Sequence, residues 1–101
     1  EQYTKFNSFF AEEVNLLDNS VVDVGEINDE NGKVTYILFA SNNQYTYVQA
    51  NKAIYRNKVK VCSDVTNCTF SSQVDDTNKT KVTVNIEFGT SVKTMTYTLQ
   101  K

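Results

Sequence analysis

The stretch TKVTVNIEF, residues 80–88, carries Val82, Val84, Ile86 and Phe88 at every second position, with Thr83, Asn85 and Glu87 between them. A period of two sends alternate side chains to opposite faces of a strand, so one face is buried and the other wet. Such a strand belongs to an antiparallel sheet, because parallel strands are covered on both faces and read as continuous apolar runs. Gly89-Thr90-Ser91 turns the chain, and VKTMTYTL (92–99) repeats the alternation with Met95, Tyr97 and Leu99. The two segments predict a closing hairpin.

The same signal recurs upstream. KVTYILFA (33–40) is dense in β-branched and aromatic residues and nearly apolar throughout, as expected of a central strand. Ser41-Asn42-Asn43 turns it into QYTYVQ (44–49), which places Tyr45 and Tyr47 on one face. AIYRN (53–57), KVKVC (58–62) and CTFSSQV (68–74) follow as further short strands. Between the N-terminal segment and residue 33, DNSVVDVGEINDENGK holds turn formers, a short apolar run (Val21, Val22, Val24) and the turn signal Asn31-Gly32. It reads as a connecting segment.

The first seventeen residues, EQYTKFNSFFAEEVNLL, follow another rhythm. Tyr3, Phe6, Phe10, Val14 and Leu17 recur at helical spacing and form one apolar stripe. No capping residue precedes the stripe with Glu or Gln three places later. A helix with one apolar stripe and a sheet with one apolar face bury each other most simply by packing together. The expected class is α+β, an N-terminal amphipathic helix on one face of an antiparallel sheet of about four to seven strands. Val82, Val84, Ile86 and Phe88 supply the sheet's side of that core. Five large helix side chains contribute roughly 1.5–3 kcal/mol apiece before entropy is subtracted. The 101 residues make one domain, with the helix in 1–20 and the connecting segment and sheet in 21–101.

Charge and composition exclude several functions. The net charge is −2, Arg56 is the single arginine, and the lysines are interleaved with acids, so no nucleic-acid surface is expected. With no His, the commonest general base and metal ligand are missing. Glu12 and Glu13 lie about 100° apart on a helix and do not converge as an acid–base pair, so they read as a solvated face. Asp29-Glu30 and Asp75-Asp76 sit in expected turns without the spacing of a calcium loop. Three glycines are too few for a phosphate-cradling loop. The tyrosines of 44–49 suit cross-strand packing better than a stacking platform for single strands. Asn67-Cys68-Thr69 and Asn78-Lys79-Thr80 match the glycosylation acceptor pattern. Neither catalysis, a cofactor nor a metal is expected.

Cys62 and Cys68 are too far apart for a C-x-x-C motif. In an extracytoplasmic protein one disulfide would close a short loop, worth about 2–2.5 kcal/mol on chain entropy. The other reading is two thiols packed as small hydrophobes.

Three stretches resemble type IV pilins and the related pseudopilins of type II secretion and DNA-uptake systems. QYTYVQANKAIYRN is similar to the part of minor pilins and J-like pseudopilins where a Tyr-rich strand leads to a strand ending in Tyr-Arg. KVKVCSDVTNCTF, around Val65, Cys68 and Phe70, is similar to their next element, and TKVTVNIEFGTSVKTMTYTLQK to their closing hairpin. Lys- and Asn-heavy usage suits a low-GC Gram-positive bacterium. The resemblance implies a pilin-like globular domain whose helix continues a hydrophobic half-helix ahead of Glu1. That half would anchor a precursor in the cytoplasmic membrane and later join other major and minor pilin subunits in a filament at the cell surface. It implies a structural minor subunit acting in assembly priming, adhesion or motility. A pseudopilin of a secretion or uptake machine, and a free-standing secreted binding domain, are the alternatives.

Overall fold

Every alternating segment forms a strand, and the strands divide into two groups. The computed structural model describes residues 3–16, 18–30 and 32–99. Helix α1 spans Thr4–Val14. Eight strands follow: β1 Val21–Asp29, β2 Gly32–Phe39, β3 Gln44–Val48, β4 Ala53–Arg56, β5 Val59–Cys62, β6 Asn67–Val74, β7 Thr80–Phe88 and β8 Ser91–Thr98. A turn of 3-10 helix at Gln49–Asn51 joins β3 to β4.

The α+β expectation, a helix on one face of a single sheet, is not met. The chain is mostly β, with a five-stranded sheet in the order β1-β2-β3-β4-β5 and a three-stranded sheet in the order β6-β7-β8. All the pairings are antiparallel. The break between the sheets lies in residues 63–66. Asp64 takes a left-handed φ of 60°, which Asp tolerates better than most residues. Val65 then turns inward and is fully buried. Its N–H donates to the Lys52 carbonyl at 2.9 Å, and its own carbonyl accepts from Tyr47 Oη at 3.1 Å. The chain therefore leaves the edge of the first sheet and crosses its inner face instead of returning beside β5. Thr35 on β2 donates to the Cys68 carbonyl on β6 at 2.8 Å, linking the two sheets inside the core.

β1 is a second correction, since residues 21–29 read as connecting segment. Its register with β2 is continuous from Asp23 to Asp29 after an irregularity between Val21 and Asp23. Only Val21 and Val24 pack against the core, so the strand lacks the apolar alternation that marks its neighbours. At its middle, Gly25 lies opposite Tyr36, and a Cβ there would collide with the Tyr36 hydroxyl and lie 2.6 Å from its Cζ. The tyrosine covers the glycine and donates to Asp23 Oδ2 at 3.0 Å.

One core joins the helix to both sheets. Phe6 and Phe10 are fully buried and Val14 nearly so, while Tyr3 packs at the margin. Leu17, the last residue of the expected stripe, lies outside the described residues. Phe10 is the hub. Its ring centroid lies 5.6 Å from Phe39 and 4.9 Å from Tyr45 on the first sheet, and 6.4 Å from Phe70 and 4.9 Å from Tyr97 on the second. From the second sheet, Val82, Val84 and Ile86 are fully buried and Phe88 is partly so. The helix thus closes the opening between two sheets, with aromatic rings from both against it. The turns are built largely from Asn and Asp at positive φ, including Asn42, Asn57 and Asn78.

Candidate functional site

The polar side chains of α1 separate as helical geometry demands, but only one of the paired acids is solvated. Glu12 is exposed, whereas Glu13 is 2% exposed. Position 13 is three residues after Phe10 and seven after Phe6, which puts it on the inward stripe. That spacing was the available signal, and reading both acids as a solvated face missed it. The Glu13 carboxylate accepts from Asn19 Nδ2 at 2.7 Å, from Asn43 Nδ2 at 2.8 Å and from Ser41 Oγ. Asn19 Nδ2 also donates to the Glu13 carbonyl at 2.9 Å, and the Ser41 N–H donates to Asn19 Oδ1 at 3.2 Å. A buried carboxylate is costly unless hydrogen-bonded, and these donors meet that need. The cluster fastens the C-terminal end of the helix to the β2–β3 turn.

Beside this cluster an open cavity of about 260 Å³ is lined by Leu16, Asp18, Asn19, Ala40 and Ser41. It is smaller than the 300–1,000 Å³ usual for small-molecule sites. Asn19 and Ser41 already spend polar groups on Glu13, and the other acid at the cavity, Asp18, is exposed to solvent. The arrangement holds two segments together.

Arg56 is the second focus. It lies opposite Tyr45 in the β3–β4 register, and its guanidinium carbon sits 5.1 Å from the centroid of the Phe9 ring. Burial pushes the Tyr45 hydroxyl up to about 12, with Arg56 pulling the other way and Glu13 adding to the rise. Among the described residues, neither the Tyr45 hydroxyl nor Arg56 Nε has a hydrogen-bond partner, and Arg56 acts on Tyr45 through its nearby charge. The cation is held over an aromatic face, an attraction of about 0.5–1 kcal/mol near a surface.

The remaining candidates fall into structural places. Tyr45 and Tyr47 share one face, as their spacing requires, and that face is fully buried, so they offer no stacking platform. Cys62 ends β5 and Cys68 lies in β6, and both are buried thiols in this structure. The two residues belong to different sheets, opposite Ile54 and Ile86 respectively. Burial pushes the Cys62 thiol up to about 11 and the Cys68 thiol further still. Both stay protonated at neutral pH, which suppresses their nucleophilicity. Asp75 closes the β6–β7 turn, accepting from Thr77 Oγ1 at 2.7 Å, the Thr77 N–H at 2.9 Å and the Lys79 N–H at 3.0 Å. The Thr77 hydroxyl, with the Lys79 amide next, holds its carboxyl below the usual range. Asn67 is half-buried and donates to Glu87 Oε2 at 3.2 Å, whereas Asn78 is exposed in the turn. Among the described residues, no group of three or more His, Cys, Asp or Glu could hold a metal ion.

Sequence reasoning thus found the stripe and strand faces, and missed Glu13 and the contact of Arg56 with Phe9. No family model matches the chain, and no curated protein or solved structure matches it either.

Proposed function

We propose that the chain is a structural minor subunit of a type IV pilus, joining other pilin subunits through a helical segment ahead of Glu1. The observation that carries the reading is the position of α1. It is clamped at Phe10 by rings from both sheets and fastened at Glu13 to the β2–β3 turn. A domain held through its helix needs that coupling, so that tension on the helix is spread over both sheets. The two-sheet fold removes likeness of architecture from the supports. The reading therefore rests on α1 and on the resemblance of QYTYVQANKAIYRN, KVKVCSDVTNCTF and the closing hairpin to minor pilins.

The subunit would be anchored in the cytoplasmic membrane before assembly and exposed on a surface filament afterwards, where it would prime assembly or serve adhesion or motility. No helix among the described residues is long and apolar enough to cross a membrane; in this reading the anchor lies ahead of Glu1. The test is the gene upstream of the Glu1 codon. A short basic leader followed by about 20 apolar residues with an early Glu supports the filament subunit. A cleavable signal ending just before Glu1 overturns it and leaves a secreted binding domain.

A further inference from the structure

The charges of the five-stranded sheet are sorted by edge. Residues 18–30 contain Asp18, Asp23, Glu26, Asp29 and Glu30 and no Lys or Arg, whereas residues 52–60 contain Lys52, Arg56, Lys58 and Lys60 and no Asp or Glu. β1 begins the strand order and β5 ends it. Four inter-strand spacings separate these edges, roughly 19 Å. The five acids, Lys52, Lys58 and Lys60 are all exposed, and Lys58 and Lys60 have no carboxylate partner among the described residues.

Neither edge pairs with a further strand among the described residues, β1 being hydrogen-bonded only to β2 and β5 only to β4, while β6 packs beside β1 and α1 beside β5. Each also carries uncovered apolar surface. Of the six large hydrophobic residues found exposed, Val22 (60%) and Ile27 (52%) lie on β1 and Val59 (59%) on β5. By contrast, β6 carries no charged residue and β8 carries only Lys93. The complementary pair of edges is β1 with β5.

We propose that a second copy of this chain docks its acidic β1 edge on the basic β5 edge, extending the sheet head to tail from molecule to molecule. With Glu26 opposite Lys58, Asn28 lies opposite Lys60, and Glu30 follows at the end of the seam within reach of the same basic edge. Like charges facing each other across a strand pair are unfavourable, so β1–β1 and β5–β5 pairing are both disfavoured. The sorting of charge permits the unlike pair and rejects both self-pairs, as a specific interface requires. Each step in the sheet is antiparallel, so β1 and β5 run in the same direction. A translated copy therefore presents its β1 in parallel orientation. Such a contact joins two different patches, and it leaves an open edge at each end for a further copy.

The inference stands on the charge map and the open edges, and not on the filament reading. The test is the solution mass of the 101-residue chain by light scattering, at about 1 mM protein and about 20 mM salt, where screening is weak. The expected mass rises above 11.5 kDa with concentration and returns to 11.5 kDa when salt reaches about 0.5 M. Glu26→Lys with Glu30→Lys, and separately Lys58→Glu with Lys60→Glu, are each expected to stay monomeric. An equimolar mixture of the two variants is expected to associate, because each acidic edge again meets a basic one. The positions are exposed, and unchanged circular dichroism establishes that the variants fold. A wild-type mass of 11.5 kDa at every salt and concentration overturns the proposal, as does a mixture that stays monomeric. Either result leaves helix-mediated assembly untouched, since that assembly uses the segment ahead of Glu1.

Discussion

Replacing Glu13 with Ala tests whether the buried carboxylate holds the helix to the first sheet. The substitution removes the acceptor of three side-chain donors, from Asn19, Ser41 and Asn43. Hydrogen bonds to a charged group contribute about 1.5–3 kcal/mol each. Ser41 is exposed and regains water, and Asn19 keeps its bond to the carbonyl of residue 13. Discounting those two, the bond from Asn43 and part of that from Asn19 remain, a loss of about 3 kcal/mol. For a domain of this size that lowers the melting temperature by roughly 12–20 °C. The assay is urea unfolding followed by far-ultraviolet circular dichroism, with thermal melts alongside. Glu13→Gln keeps the volume but puts an amide donor against donors, so it is expected to fall between Ala and wild type. Combining Glu13→Ala with Asn43→Ala should cost less than the two changes summed, by about 0.5–3 kcal/mol of coupling. An Ala variant within about 0.5 kcal/mol of wild type, as at an ordinary surface position, refutes the reasoning.

Phe10→Ala is expected to destabilise by about 3–5 kcal/mol, near the top of that range because four rings beyond the helix lose their contact, and Phe10→Asp is expected not to fold. A Phe10→Asp variant that melts like wild type would remove the helix from the core. Tyr45 and Tyr97 are both pushed up to about 12 by burial. Their unfolded counterparts ionise near 10. The fold holds these protons more tightly, so stability present below about pH 10 is lost as pH rises towards 12. A Tyr45→Phe, Tyr97→Phe variant whose stability falls between pH 10 and 12 as steeply as the wild type's would contradict this. Cys62 and Cys68 are expected to react with a disulfide reagent at pH 8 at least tenfold more slowly in the native protein than in urea, and rapid native labelling of both thiols would show that burial does not protect them.

β7 was legible in the sequence residue by residue, because strict alternation fixes which side chains enter the core. What alternation leaves open is the partner of each strand. The division into two sheets depends on a left-handed Asp64 and on Val65 seated under Tyr47, neither of which has a periodic signal. β1 was hidden for the opposite reason. It is an edge strand with little to bury, and its turn-forming residues resemble a loop until β2 pairs with them. The apolar stripe of α1 was readable, yet Glu13 shares that stripe, and residue type outweighed position. The contact between Arg56 and Phe9 spans 47 residues, and local sequence carries no trace of it.

The seat of Phe10 has a consequence for how the molecule opens. With its ring against Phe39, Tyr45, Phe70 and Tyr97 at once, α1 cannot leave one sheet while staying docked on the other. There is no half-open form in which one sheet stays sealed. Amide protons in β2, β3 and the inner parts of β6 and β7 should therefore exchange with deuterium as a single slow class, set by the global opening energy. Beyond Phe70 the outer strand β6 runs along the edge of the second sheet with Ser71, Ser72, Gln73 and Val74 all exposed, while Val82 opposite Ser72 stays buried. That end of β6 can fray from β7 on its own, and it is where exchange should begin.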